Sequence, residues 1–324
     1  MKLGTVLVTG AGGFIGSALV KAIAAGRADR IVLLDSSEQN LFGIHRCLEA
    51  LPHEAILGSV TDASLLNSMM RRFRPEIVYH AAALKHVPLL ELNPLAAVRN
   101  NALGTYTLAQ AAIEQGVPAL VLVSTDKAVN PHSIMGASKR LAELTVAALS
   151  GPQCRMNAVR LGNVIGSTGS VVPIFQEQIS QGGPVTVTHP EATRYFMLLD
   201  DAVEAIMEAG AAKCSGNILL PELGEPESIA DLARSLVEES GEDIAIRFIG
   251  LRPGEKLHED LIGEKERCDG GTIRTPSPAP AELHGLMAQI ACLLACGDVA
   301  LLIETICKAV PEYRPSAVVG SACT

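Results

Sequence analysis

Aromatic side chains are scarce in this chain, which has no Trp, six Phe and four Tyr among 324 residues. Alanine and aliphatic side chains must therefore fill the core, which suits helices packed on a parallel sheet. There is also no basic stripe and no aromatic stacking platform, and the formal net charge is −9. Nucleic acid is therefore not an expected partner. An anionic small molecule remains compatible, because local Arg side chains and helix N-termini decide its binding.

The cysteines lack the pattern of a metal site. The eight Cys are scattered, and Cys292 and Cys296 have no His or further Cys at metal-ligand spacing. We therefore predict reduced thiols in a cytoplasmic protein, and no metal. No apolar run is long enough to span a bilayer. The first residues, "MKLGTVLVTGAGG", indicate a strand and a turn instead of a signal peptide.

The first half of the chain alternates short apolar runs with amphipathic segments. Continuous apolar runs are typical of strands buried on both faces of a sheet. The predicted strands are 5–10, 30–35, 54–58, 76–82, 119–125 and 156–163, and the predicted helices are 14–25, 38–50, 62–73, 93–115 and 136–149. This alternation predicts an α/β fold with a doubly wound parallel sheet and right-handed crossovers.

The pattern changes after about residue 165. We predict a first domain over 1–165 and a smaller α/β lobe over 166–265, partly interleaved with the first. Residues 266–280 are rich in Gly, Pro, Ser and Thr, which indicates a linker or flexible loop. Residues 281–310 predict apolar helices, which serve either dimerisation or the core. The last dozen residues are expected to be disordered.

A glycine-rich turn follows the first strand. In "VLVTGAGGFIGSALVKAI", Gly10 permits a tight turn, Gly13 allows close approach of a pyrophosphate, and Gly16 allows the helix to pack on the strand. The N-terminus of that helix attracts phosphate. Asp35 ends the second strand, where a carboxylate binds ribose hydroxyls and favours NAD over NADP. The alternative role of Asp35 is to cap the next helix.

These features predict a Rossmann-like, NAD-binding domain over 1–165, with NADP possible. Asp62 either reaches the adenine or caps the helix over 62–73, and the sequence leaves both roles open. The predicted cofactor-binding residues are Gly10, Gly13, Phe14, Ile15, Gly16, Asp35, Asp62, Ala81 and Lys139.

An adjacent acid and base follow the fifth strand. In a doubly wound sheet, ligands bind beyond the carboxyl ends of the strands, where "STDK" places Asp126 and Lys127. A partly dry pocket would lower the pKa of Lys127 towards that of a base and keep Asp126 protonated as an acid. The alternative is a solvated turn with two surface charges. Downstream, Met135 stands four residues before Lys139, and a thioether cannot transfer a proton.

Five long stretches resemble a known family. They are "HAAALKHVPLLELNPLAAVRNNALGT" (80–105), "STDKAVNPHSIMGASK" (124–139), "RLGNVIGSTGSVVPIF" (160–175), "GGPVTVTHPEATRYFM" (182–197) and "GLRPGEKLHEDLI" (250–262). Over residues 1–265 the chain resembles the soluble catalytic domain of CapD-type polysaccharide biosynthesis proteins, the UDP-N-acetylglucosamine 4,6-dehydratases, which are extended short-chain dehydrogenases. Many family members also carry Met in place of the usual Tyr. Large members carry an N-terminal membrane region, so this chain is similar to a free-standing soluble form.

The resemblance implies an internal redox elimination on UDP-N-acetylglucosamine. Hydride passes from C4 of the sugar to NAD, water is lost across C5 and C6, and the hydride returns to C6. By resemblance, Lys127 is the C5 base and Asp126 the acid at the C6 hydroxyl. Ser124 lies near the C4 oxygen, and Lys139 orients the nicotinamide ribose. With Met135 in the catalytic set, the group that takes the C4 hydroxyl proton is left unassigned.

The resemblance also implies a substrate-binding set. Asn163, Arg194 and Arg252 would grip the diphosphate, for which the planar Arg fork is suited. Each charge alone would indicate only a solvated face. The full set is Lys85, His86, Asn163, Val171, Arg194, Arg252 and Glu255. Glu255 would bind ribose hydroxyls. His86 either lines the sugar pocket or packs under its loop. Asn101 matches a position that steadies the active-site helix.

The sequence leaves two other functions open. A 4-epimerase of the same fold needs only the C4 redox step, but such enzymes normally rely on the Tyr that Met135 replaces. A catalytically silent NAD-binding protein is the other alternative, and Ser124, Asp126, Lys127 and Lys139 count against it. The resemblance leaves the configuration at C5 open. We expect a homo-oligomer with no membrane segment.

Overall fold

A computed structural model describes residues 3–26, 28–48, 51–167 and 169–320. In these ranges the strands are β1 (Leu3–Thr9), β2 (Ala28–Asp35), β3 (His53–Leu57), β4 (Ile77–His80), β5 (Ala119–Thr125), β6 (Arg155–Leu161), β7 (Asn163–Val164), β8 (Val185–Val187), β9 (Thr193–Arg194), β10 (Phe196–Met197), β11 (Ile218–Leu219), β12 (Glu227–Ser228), β13 (Ile246–Phe248), β14 (Arg267–Asp269) and β15 (Thr272–Arg274).

The helices alternate with the strands through the first half of the chain. They are α1 (Phe14–Ala24), α2 (Glu38–Cys47), α3 (Ala63–Phe73), α4 (Val87–Glu91), α5 (Pro94–Ala97), α6 (Gly104–Glu114), α7 (Ile134–Leu149), α8 (Val171–Ser180), α9 (Leu199–Ala211), α10 (Ile229–Ser240), α11 (Pro280–Cys296), α12 (Val299–Ala309) and α13 (Ala317–Gly320). None of the helices in the described ranges combines the length and the hydropathy needed to cross a bilayer.

The single helix expected over 93–115 is divided. A π-helical segment, Val98–Leu103, joins α5 to α6. Such segments often occur at functional sites, and this one carries Asn101. A short 3-10 turn, Asp126–Ala128, follows β5 directly.

The main sheet has nine strands in the order β14-β15-β11-β6-β5-β4-β1-β2-β3. Neighbouring strands in the part of this sheet ordered β11-β6-β5-β4-β1-β2-β3 all pair in parallel. The predicted doubly wound parallel sheet is therefore confirmed. Between β1 and β4 the strand order reverses, and a crevice at such a point is where doubly wound sheets bind ligands.

Both faces of the sheet are covered by aliphatic side chains, as the apolar runs predicted. One face packs side chains such as Val6 and Val8 of β1 against α1 and α9. The other packs Leu7 and Val32 against α3 and α6. Helix α9 and strand β11 lie within the segment 166–265 in sequence, but they pack on or pair with the main sheet. Side chains of α8, β8 and α10 form a separate small core.

The prediction of a linker or flexible loop over 266–280 is wrong for Arg267–Arg274. β14 and β15 form an antiparallel hairpin, and β15 continues the main sheet by pairing with β11. Gly270 and Gly271 form its turn with φ of 52° and 75°. Two consecutive residues with positive φ are typical of a two-residue hairpin turn. The Gly- and Pro-rich composition of the segment concealed this local signal.

The C-terminal helices complete the core of the single chain. Side chains of α11 and α12 pack against α7 and the π-helical segment. Tyr313 and Val319 are also buried, so the prediction of disorder is wrong for 313–320, because these residues contribute apolar side chains to the same cluster. Residues 321–324, also part of that prediction, lie outside the described residues. The oligomeric state stays a prediction.

Two adjacent leucines of α12 test whether this layer is part of the core. Leu302 is fully buried, whereas Leu301 is 41% exposed. We expect Leu302→Ala to lower the free energy of unfolding by about 2–5 kcal/mol, because it leaves a cavity. Leu301→Ala should cost far less. Urea denaturation followed by circular dichroism measures both variants. Equal, small losses would mean that the C-terminal helices are not part of the cooperative core.

Candidate active site

The glycine turn is built for close packing around the end of β1. Gly10 has φ of 66°, and a Cβ there would lie 2.7 Å from the backbone of Ala82. A Cβ at Gly16 would lie 2.0 Å from the carbonyl oxygen of Gly10. Ala81 follows β4 beside this turn, and Phe14 and Ile15 begin α1. The residues that the sequence assigned to the phosphates therefore come together, with the N-terminus of α1 in the crevice.

Asp35 lies at the same edge of the sheet. Its carboxylate accepts backbone N–H bonds from Gly12 and Ser37, each at 2.9 Å. The alternative that Asp35 caps α2 is wrong, because the cap is Ser37, whose hydroxyl accepts from Asn40. Asp62 does cap α3 by accepting from the N–H of Leu65 at 2.9 Å. Its contact with adenine stays a prediction.

Asp126 and Lys127 lie just beyond the carboxyl end of β5. Lys127 Nζ is 2.9 Å from Asp126 Oδ1 and 2.7 Å from Asn163 Oδ1. The Thr125 hydroxyl also donates to Asp126 Oδ1 at 2.9 Å. Asp126 is fully buried, and its Oδ2 has no hydrogen-bond partner among the described residues. The solvated-turn alternative is therefore wrong.

A second carboxylate faces Lys127 from the opposite side. Glu259 Oε1 lies 3.7 Å from Lys127 Nζ and 3.9 Å from Arg194 Nε. Its Oε2 lies 3.6 Å from Lys256 Nζ, yet it also has no hydrogen-bond partner in the described ranges. The Glu259 side chain is only 4% exposed.

A small cavity opens onto this cluster. It has a volume of about 110 Å³, and its lining includes Lys127, Arg194, Glu255, Lys256 and Glu259. A larger cavity, of about 680 Å³, lies among α7, α11 and α12 and reaches neither Asp126 nor Lys127. The chemistry of the side chains therefore places the candidate active site at the small cavity.

The two site lysines have opposite pKa shifts. Burial acts to lower the pKa of Lys127, but the carboxylates of Asp126 and Glu259 outweigh it and raise that pKa above its ordinary value. The prediction of a lowered pKa for Lys127 is therefore wrong, because a second carboxylate reaches it from a distant segment. Burial lowers the pKa of Lys139 to about 8, against the opposing charge of Glu143. Lys139 Nζ donates to the Val123 carbonyl at 2.7 Å.

Ser124 is held by a buried ion network. Its hydroxyl donates to Glu143 Oε1 at 2.7 Å. Glu143 Oε2 in turn lies 3.0 Å from Arg140 and 2.8 Å from Arg160. Both arginines also contact Glu266. Burial would raise the pKa of Glu143, but the two arginines outweigh it and lower that pKa. Ser124 thus directs its hydrogen at a carboxylate and leaves its lone pairs for a ligand hydroxyl.

Met135 lies apart from this polar cluster. It is buried in the apolar cluster that includes side chains of α7, α11 and α12. Asn101 is placed to steady α7, because it donates to the Leu84 carbonyl and to the Ser138 hydroxyl at 2.9 and 3.1 Å. Sequence reasoning assigned it that structural role.

Two of the predicted substrate-binding residues, Arg194 and Glu255, line the small cavity. The Arg194 guanidinium donates to the carbonyls of Thr193, Lys256 and Leu257, so it holds the loop that carries Glu259. Glu255 accepts from the backbone N–H of Arg252 at 3.1 Å. Arg252 itself is exposed. A role in diphosphate binding stays a prediction for both arginines.

Lys85, His86 and Val171, which were also predicted to bind substrate, are not part of the cavity lining. Lys85 and His86 are exposed before α4. The His86 ring lies beside Gly169, where a Cβ would approach it to 2.7 Å. Burial lowers the pKa of His86, and the charge of Lys85 adds to this effect. Val171 begins α8 and packs against the small-lobe core.

Sequence reasoning missed Glu259, Lys256 and Glu143. Glu259 and Lys256 lie in the "GEKLHED" stretch, where a charged pair three residues apart was visible. Glu143 is four residues after Lys139 on the same helix face, a spacing that brings side chains together. Burial of such a carboxylate requires partners, but Arg160 and Glu266 are distant in sequence and gave no local signal.

Comparison with known proteins assigns this chain to a family. A family model described as "Polysaccharide biosynthesis protein" matches residues 6–274. The chain belongs to this family. The match confirms the resemblance carried by the five sequence stretches.

Individual relatives extend the comparison. The chain is 45% identical over 272 residues to the capsular polysaccharide biosynthesis protein CapD of Staphylococcus aureus, covering 81% of this chain and 45% of that one. It therefore spans about half the length of the relatives that it matches at this identity. It is 33% identical to a UDP-N-acetylglucosamine 4,6-dehydratase (inverting) of Campylobacter jejuni, covering 81% and 78% of the two chains.

A solved structure shares the architecture. The dTDP-glucose 4,6-dehydratase DesIV of Streptomyces venezuelae, with NAD and TYD bound, superposes with a TM-score of 0.73 at 26% identity. The alignment covers 88% of this chain and 96% of DesIV. This likeness supports the Rossmann-like assignment of the main sheet.

The ion network around Glu143 should contribute strongly to stability. We expect Glu143→Gln to lower the free energy of unfolding by about 3–5 kcal/mol, because it removes the charge of one of the two buried carboxylates that pair with Arg160 in the described residues. Glu304→Gln is the matched control, since Glu304 forms an exposed pair with Lys308 on α12 and should cost about 0.5 kcal/mol or less. Urea denaturation compares the two, and similar losses would contradict a structural role for the network.

The two lysines should titrate separately. In protein labelled with ¹³C at lysine Cε, we expect the Lys139 resonance to titrate near pH 8 and that of Lys127 to titrate above an ordinary lysine. Lys139→Ala and Lys127→Ala assign the two signals. A Lys127 signal that titrates below the other lysines would show that burial outweighs its two carboxylates.

Proposed function

We propose that this protein is a nucleotide-sugar 4,6-dehydratase that acts on UDP-N-acetylglucosamine for surface polysaccharide or glycan biosynthesis. The observation that carries the proposal is the Asp126–Lys127 pair beyond the end of β5, in which Asp126 is fully buried and the Lys127 side chain is 23% exposed. This is an acid and a base placed together where a doubly wound sheet handles ligands. The Campylobacter relative is named for the same reaction.

The glycine turn supports NAD as the cofactor. Gly10 and Gly16 leave no room for a Cβ beside the end of β1, and the N-terminus of α1 favours a pyrophosphate. Asp35 is fixed by two backbone N–H bonds, and its negative charge disfavours the additional phosphate of NADP. Bound NAD supplies a reversible hydride acceptor for C4, and regeneration in each cycle makes a tightly held cofactor sufficient.

The acid–base pair supplies the elimination. In its reactive form the proton shared by the pair lies on Asp126, which leaves Lys127 as a neutral amine. Lys127 takes the C5 proton, and Asp126 gives its proton to the departing C6 hydroxyl, which leaves as water. Lys127 then returns a proton to C5 when the hydride reaches C6. The proton released from the C4 hydroxyl restores the pair and balances the cycle.

Ser124 and Lys139 act at the C4 oxygen. Because Ser124 donates to Glu143, its oxygen can accept from the sugar C4 hydroxyl. Lys139, with a pKa of about 8, has an appreciable neutral fraction at neutral pH. Met135 has no transferable proton and packs in an apolar cluster. Loss of the Tyr therefore argues against a 4-epimerase and does not disable the elimination.

The proposal is tested by incubating the purified protein with UDP-N-acetylglucosamine and NAD in D2O. We expect loss of one water by mass spectrometry, a new C6 methyl group by proton NMR, and deuterium at C5. Lys127→Met should lower the rate about a hundredfold or more, the usual contribution of a general base. Lys308→Met, which changes an exposed lysine of α12, should leave it unchanged.

Other outcomes would point elsewhere. Isomerisation without loss of water would establish an epimerase. No turnover with NAD bound would favour a silent NAD-binding protein or a different nucleotide sugar. A normal rate for Lys127→Met would contradict its assignment as the base. The C5 coupling pattern distinguishes retention from inversion.

A further inference from the structure

The Glu259 carboxylate is buried among cations, but among the described residues its Oε2 lacks the hydrogen bond that burial usually requires. Three cations surround it, but each lies at 3.6–3.9 Å, beyond a short hydrogen bond. Its Oε2 has no hydrogen-bond partner in the described ranges. A buried carboxylate held only for stability is normally paired and hydrogen-bonded. This arrangement therefore indicates that the negative charge of Glu259 acts on a neighbouring group.

That neighbour is Lys127. Its Nζ lies between two carboxylates, with Asp126 Oδ1 at 2.9 Å and Glu259 Oε1 at 3.7 Å. Each of these carboxylates also has a second, buried oxygen for which the described residues provide no hydrogen-bond partner. In the proposed reaction Asp126 changes its protonation during each cycle. Glu259 is thus the carboxylate beside Lys127 whose protonation does not change in the proposed elimination.

We propose that Glu259 is a positioning residue that acts through Lys127, holding its ammonium form and so setting the pH above which the C5 proton can be removed. The effect of Glu259 on catalysis rests on the proposed function, whereas the contact between Glu259 and Lys127 does not. Glu259 comes from the loop before β14, so the closure of that loop against β5 completes the acid–base site.

The charged groups around the pair fix the direction of the effect. Lys127 faces Asp126 after β5, Glu259, and Arg194 of β9. Glu259 also faces Lys256 three residues before it, and burial raises its pKa. His132 lines the same cavity, and Asp260 contacts Lys256 from the outside. A lysine loses its proton more easily when an opposite charge is removed. Neutralising Glu259 must therefore shift the titration of Lys127 to lower pH.

The experiment is the titration of ¹³C-labelled Lys127 in Glu259→Gln, in the full chain without substrate. We expect its midpoint to fall by about one pH unit or more, the usual effect of an opposite charge within about 4–6 Å. Asp260→Asn is the matched control, because it removes the neighbouring carboxylate, which is 51% exposed, and should leave the midpoint in place. An unchanged midpoint in Glu259→Gln overturns the proposal.

Two further measurements separate structure from chemistry. If Glu259→Gln does not fold, Glu259→Asp, which keeps the charge but withdraws it from Lys127, must lower the midpoint by a smaller amount, and no shift overturns the proposal. In active enzyme, the ascending limb of the kcat profile should move to lower pH in Glu259→Gln, with KM little changed. Because the titration needs no substrate, it remains decisive even if wild-type protein does not dehydrate UDP-N-acetylglucosamine.

Discussion

The structure depends on one buried ion network, centred on Glu143. This carboxylate binds Arg160 of β6 and Arg140 one turn earlier on α7, and it accepts the hydroxyl hydrogen of Ser124. Glu266 closes the network from the loop before β14, and the arginines lower its pKa to about 2 in spite of burial. A fully buried charge is strongly destabilising unless it is paired with an opposite charge. The sheet, α7 and that loop must therefore adopt their positions together.

The network explains why the β14–β15 hairpin and the C-terminal helices are packed together with the candidate active site. Arg140 also contacts Glu312, after α12, so the chain end is held to the helix that carries Lys139. On its apolar side, α7 packs against α11 and α12. The site is thus supported by segments more than a hundred residues away in sequence. Rigid support of this kind keeps the catalytic groups in position.

The sequence was sufficient for the features that local patterns encode. Continuous apolar runs predicted β1, β2 and β4–β6, and the glycine spacing predicted the turn before α1. "STDK" correctly located the cluster of Asp126 and Lys127. Long-range electrostatics were not predictable, since Glu259 from a distant segment adds to the larger effect of Asp126 in raising the pKa of Lys127, and Ser124 is paired through Glu143. Composition was misleading at 266–280, where Gly270 and Gly271 form a hairpin turn instead of a linker.

Replacement of the usual Tyr by Met135 changes how protons are shared in the site. Tyr combines hydrogen bonding to the sugar oxygen with proton transfer, and a thioether does neither. Here two lysines of opposite character lie in one site. Against the effect of burial, the carboxylates of Asp126 and Glu259 raise the pKa of Lys127, whereas burial lowers the pKa of Lys139 to about 8. Environments that shift the pKa values of two titratable groups in opposite directions give the groups separate acid and base roles. In the proposed 4,6-dehydratase reaction, the elimination and the C4 step therefore use different groups, with no proton transfer from Met135.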